Sequence, residues 1–152
     1  MDYSRFTKEW YKRATDERDL DTPDRFLNLW ISFNGWMKNK YGESLQDKQL
    51  LQKVKREESL KQAFEVKKDS LDDLLSDLKR FSVLDMRDET NKERIKNFDD
   101  SFESLIEVLY QIRCNLFHGR KCVDEDENDK RLVELAYKIL QPIFHEVLES
   151  DL

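Results

Sequence analysis

Glycine and proline are scarce, at three and two residues in a chain of 152. That scarcity argues against a strand-and-turn architecture, whose tight connections depend on both residues. Cysteine is nearly as rare: Cys114 and Cys122 are too few for a disulfide framework, and a chain of this length needs none, so both are expected as reduced thiols. No stretch approaches the roughly 18 consecutive apolar residues of a membrane span. Met1 leads into Asp2, Arg5, Lys8 and Glu9, not into the apolar segment of a signal peptide, so a cytoplasmic chain with no membrane partner is expected. Net positive charge is missing too. At a formal balance of −6 no general field attracts nucleic acid, and any such contact has to come from a local basic pocket.

What the chain does contain is 39% charged and 38% hydrophobic residues, the mixture of amphipathic helices, and the length fits one core. The sequence therefore predicts an all-α fold, a bundle of about five to six helices forming a single domain over residues 1–152. Phe6, Trp10 and Tyr11 share a face of a first helix from Ser4 to about Glu17. Thr22 and Pro23 offer a capping hydroxyl followed by proline at the first helical position, opening a core helix whose Phe26, Leu29, Trp30, Phe33 and Met37 form one stripe ending near Gly42. Between Ser44 and Lys68 the apolar residues are unevenly spaced, which gives one or two helices, and the interleaved Lys53, Lys55, Arg56, Lys67 and Lys68 read as a solvated face. Asp69 or Ser70 can cap a helix reaching Phe81. Ser82 to Lys92 reads as a connection, and a long helix should run from Asp99–Ser101 to Gly119. The acidic stretch Asp124–Asp129 reads as a loop. A last helix, Leu132 to Leu148, has to accommodate Pro142 with a kink.

The long helix contains an anomaly. At about 100° per residue, Ile106, Leu109 and Leu116 fall within about 40° of Phe102 on the helical wheel, and Arg113 falls among them at about 20°. A guanidinium in an apolar stripe must snorkel, pair with a carboxylate, or face a pocket or interface that uses fixed positive charge. Five residues later comes His118, directly before Gly119, and histidine is the side chain that exchanges protons near neutral pH.

The stretch Gln111-Ile112-Arg113-Cys114-Asn115-Leu116-Phe117-His118-Gly119-Arg120-Lys121 resembles the signature of the HEPN superfamily, an R-x(4–6)-H pattern with Asn commonly two residues after the Arg. Leu29 to Asn34 also looks like the aromatic early helix of that superfamily. The resemblance implies a metal-independent endoribonuclease without cofactor, acting as a homodimer with two copies of the motif facing each other. On that basis His118 would move the proton of the ribose 2′-hydroxyl or of the leaving oxygen, Arg113 would hold the scissile phosphate and Asn115 would hydrogen-bond nearby, leaving a 2′,3′-cyclic phosphate and a 5′-hydroxyl. Such internal attack needs a proton acceptor, a proton donor and a fixed cation, and no metal. A toxin branch of the superfamily continues the pattern as R-x4-H-x-Y, the tyrosine being modified by an antitoxin. Here Arg120 stands in that place, so that mode of control is in doubt. Arg120 and Lys121 could instead hold RNA backbone, and an antitoxin or other regulatory protein is a possible partner.

Plainer readings stand beside these. Arg113 can be a structural ion pair, His118 a helix-end histidine favoured by the dipole, and Asn115 a cap for local carbonyls. The spacing of Cys114, His118, Cys122 and His145 lacks a second well-formed ligand pair for zinc. The stripe of Phe26, Trp30 and Phe33 is explained by helical packing alone. The competing functions are therefore an RNA-cleaving enzyme of the toxin or defence-effector kind, a non-catalytic HEPN-fold module for RNA or nucleotide binding or dimerisation, and a helical scaffold.

Overall fold

The computed structural model describes residues 1–16, 20–84, 95–119 and 127–151, by backbone alone at 84, 117–119 and 151. Seven helices and a minimal strand pair make up these residues: α1 Tyr3–Asp16, α2 Thr22–Tyr41, α3 Asp47–Val54, α4 Glu58–Lys67, α5 Asp72–Lys79, β1 Val83–Leu84, β2 Ile95–Lys96, α6 Phe102–Gly119 and α7 Glu127–Asp151. The fold is all-α, with one or two more helices than the expected five to six. The excess arises between residues 44 and 81. There Leu50, Leu51 and Val54, then Leu60, Ala63 and Phe64, then Leu75 and Leu78 are buried as separate groups on three short helices. The step from Val54 to Leu60, about 240° of helical rotation, puts the apolar stripe out of phase, and the chain turns there.

The start of α2 differs by one residue from the sequence expectation. Asp21 is the N-cap, accepting from the Asp24 backbone N–H at 3.0 Å, with Thr22 and Pro23 inside the first turn. A carboxylate both accepts the free N–H and suits the positive end of the helix dipole, which a hydroxyl does not. At the other end Gly42 adopts φ 120° and donates to Lys38 O, a conformation that side chains resist. Asp69 and Ser70 do not cap α5. Ser70 Oγ donates to Lys67 O at 2.8 Å, closing α4, and α5 begins at Asp72. Glu127 and Asp129, expected in a loop, form the first turn of α7, where negative charge is favourable; residues 124–126 lie outside the described residues. The expected connection after Ser82 carries the antiparallel pairing of Val83 with Lys96 and Leu84 with Ile95.

The buried side chains form one cluster. At its centre Phe33 of α2 meets Phe144 of α7 edge-on, ring centroids 5.2 Å apart, and stacks on Trp36. Leu105, Ile106 and Leu109 of α6 are fully buried from the other side. Pro142 lies inside α7. Helix α1 lies close on α2: Ser32 Oγ donates to Thr7 O at 2.6 Å, and Gly35 faces the Phe6 ring so closely that a Cβ there would lie 2.6 Å from Phe6 Cδ1. Among the described residues, no helix is long and apolar enough to cross a membrane.

Candidate functional site

Arg113 opens the fourth turn of α6 between buried Ile112 and Cys114. Its side chain is 27% exposed, so it is neither fully buried nor free in solvent. The guanidinium reaches out of the core past Tyr110, whose ring centroid is 5.8 Å away, toward Asp47 in the first turn of α3. Arg113 Nη1 stands 3.9 Å from Asp47 Oδ2, and the Tyr110 hydroxyl donates to the same oxygen over 3.4 Å. Both contacts are longer than a well-formed charge-assisted hydrogen bond. Burial first, and then Cys114 beside it, raise the Tyr110 hydroxyl above its ordinary value, so it is a neutral donor at physiological pH.

Arg113 and Asp47 line a groove of about 250 Å³ between α1, α2, α3 and α6. Phe6, Leu27, Trp30 and Ile31 provide an apolar floor. Asn34, Lys38, Asp47 and Arg113 provide a polar rim with two cations and one carboxylate. Two cations thus outnumber one carboxylate in the groove of a chain whose overall charge is −6. Helix α2 places its share by simple repeat: Trp30, Asn34 and Lys38 are four residues apart and so share one side of the helix. Trp30 was expected as core; it is 4% exposed and packs edge-on against Phe33, while also forming part of the groove floor.

The other candidate residues lie elsewhere or outside the described residues. Asn115 Oδ1 accepts from the buried Gln111 Nε2 at 2.9 Å, and Asn115 is not among the groove-lining residues. Two residues along a helix amount to about 200° of rotation, which puts it on another side from Arg113. Helix α6 continues through Gly119, so position 118 lies about 140° around the axis from position 113; the His118 side chain is outside the described residues. Arg120, Lys121 and Cys122 also lie outside them. Cys114 is buried, and among the described residues no three His, Cys, Asp or Glu side chains gather as metal ligands. Within the face expected to be solvated, Lys55 is instead held by Glu107 of α6, with only 15% of its side chain exposed. Lys96 reaches the same carboxylate at 3.4 Å, and these two lysines hold Glu107 below the usual carboxylate range against the opposing effect of burial, the largest influence on it.

Asn34, Lys38 and Asp47 were not singled out from the sequence. The one available signal was a pair of polar residues in register with Trp30 on a core helix; Asp47 joins them only through folding. No family model, curated protein or solved structure matches the chain.

Proposed function

We propose that this protein is a metal-independent endoribonuclease of HEPN type, acting in the cytoplasm as a homodimer. The observation that carries this reading is the position of Arg113: its guanidinium stands at an open groove beside Lys38, 3.9 Å from its carboxylate neighbour. A phosphate oxygen can approach such a group and form shorter, stronger hydrogen bonds than Asp47 does. In the reaction the ribose 2′-oxygen attacks phosphorus, its proton passes to a base, and the bond to the 5′-oxygen breaks as that oxygen takes a proton. Arg113 offsets the charge that grows on the non-bridging oxygens, and His118 is the proton carrier. The separation of about 140° between positions 113 and 118 around α6 favours a site that combines Arg113 of one protomer with the partner subunit's His118. Arg120 and Lys121 then extend the contact along RNA backbone, and a toxin or defence effector of this kind calls for an antitoxin or other regulatory protein.

The bond between Gln111 and Asn115 favours a second reading, a HEPN-fold module that binds RNA or nucleotide without cutting, since it engages the amide oxygen of a residue the catalytic reading assigns to substrate. Incubation of the purified protein with total RNA in EDTA separates the two. Fragments ending in 2′,3′-cyclic phosphate and 5′-hydroxyl, absent with Arg113→Ala and with His118→Ala, are expected. Binding without cleavage selects the second reading, and neither binding nor cleavage leaves only the scaffold.

A further inference from the structure

We infer that the groove is a subsite for one nucleobase carrying an exocyclic amino group, seated beside the phosphate that Arg113 holds; the inference rests on the reading of Arg113 as a phosphate ligand. Size comes first. Pockets for drug-sized ligands span about 300–1,000 Å³, whereas this groove measures about 250 Å³, room for a single planar ring system and too little for two. Its floor suits such an occupant. Phe6, Leu27, Trp30 and Ile31 offer apolar surface to the faces of a base, the sequence-tolerant part of single-stranded recognition.

The rim supplies the selectivity. Asp47 offers carboxylate oxygens as acceptors, and Tyr110 and Arg113 both approach the same one of the two, Oδ2. Asn34, which also lines the groove, offers one acceptor and two donors. A carboxylate welcomes the amino group of cytosine, adenine or guanine. Uracil has no amino group, and its single ring N–H is flanked by two carbonyl oxygens that would face the carboxylate and repel it. Lys38 is then positioned for a second phosphate of the strand. Apolar floor, amide, carboxylate and paired cations together match a nucleotide better than a bare anion, which would have no use for the aromatic side, or a lipid tail, which would have none for the carboxylate.

Calorimetric titration with the four ribonucleoside 3′-monophosphates tests this, because 2′-hydroxyl attack places the scissile phosphate on the 3′ side of the recognised nucleoside. At least one of the AMP, CMP and GMP isomers should bind about tenfold or more tightly than the UMP isomer. Asp47→Asn should reduce that ratio below about threefold, with UMP bound no more weakly than by wild type because the repelling charge is gone, and Asn34→Ala should weaken the preferred nucleotide alone, with melting curves showing both variants folded. Equal affinity for all four nucleotides, no binding at all, or a ratio untouched by both substitutions overturns the inference. The cleavage reading fails separately: nucleotide preference without any cut RNA keeps the subsite and removes the nuclease, whereas cutting without base preference at the bond does the reverse.

Discussion

Arg113 was legible because it broke a pattern, an arginine set into the apolar side of α6, and its placement half-out of the core explains how the helix tolerates it. Its contact with Asp47 is long, and the Asp47 side chain is 45% exposed, so the pair resembles a surface ion pair and should contribute no more than about 1 kcal/mol to stability. Arg113→Ala also removes the side chain's contacts with Tyr110 and Cys114, so a loss of about 1–3 kcal/mol with the fold retained is expected. The same change should lower the RNA cleavage rate by about 10²–10³, the usual loss when one donor to a developing oxyanion is removed. Denaturant melts beside single-turnover cleavage check this; a variant that unfolds would show that the arginine holds the structure together. Its groove partners were not legible for a physical reason. Asn34, Lys38 and Asp47 are ordinary polar residues on ordinary helices, and their meaning comes from the meeting of α2, α3 and α6, which no local pattern encodes. Asn115 has a local partner in Gln111, four residues before it, a pairing that helical spacing allows.

Whole helices were read from the sequence wherever a stripe of large apolar residues repeats without interruption, as in α2, α6 and α7. Where helices are short only their bounds were lost: α3 and α4 lie in the stretch expected to hold one or two helices, and α5 lies inside the helix expected from Asp69 or Ser70 to Phe81, whereas the two-residue strands carry no periodic signal. Two joints between elements lead to measurable consequences. Gly35 lets α1 approach α2, and a Cβ there would meet Phe6 Cδ1 at 2.6 Å and Thr7 Oγ1 at 3.1 Å. Gly35→Ala gains about 1 kcal/mol of helix propensity and loses about 1–3 kcal/mol to overpacking, so a net loss is expected. In a Phe6→Ala background the ring is gone and the same change should stabilise; chemical denaturation of the four proteins of that cycle reads the sign. The second joint ties α5 to α7, where Asp77 accepts from Arg131 Nε at 2.7 Å and also pairs with Arg80. These arginines hold the Asp77 carboxyl below its ordinary 3.8. A carboxyl lowered on folding stabilises the protein above its unfolded value and loses that contribution as pH falls through the folded one. Melting temperature should therefore decline below about pH 4, and Asp77→Asn should start lower at pH 7 and decline less steeply. An unchanged acid limb would show that the clamp contributes nothing.

At the scale of the molecule, the homodimer proposal has a test that does not depend on size alone. If each site takes Arg113 from one protomer and the partner subunit's His118, then mixing inactive Arg113→Ala and His118→Ala proteins under exchange conditions regenerates one intact site per heterodimer. About a quarter of wild-type cleavage should return, since half of randomly paired dimers are mixed and each holds one working site of two. No recovery, with mixed dimers shown to form, would place both residues in the same subunit. The all-α class and the position of the core were legible from composition and stripe, whereas the contacts that close the structure were not. Chief among these is the link between α1 and α7: Tyr11 hydrogen-bonds His145 Nδ1 at 2.9 Å and Gln141 Nε2 at 2.7 Å, while the Tyr137 hydroxyl donates to Ala14 O at 3.1 Å. The α1–α2 hairpin is local in sequence and can form early, but its attachment to α7 joins positions 134 residues apart, and contacts of such separation are slow to reach. During synthesis the hairpin must therefore wait at the ribosome surface, its Phe6 wall in place, until the last long helix emerges to lock it down.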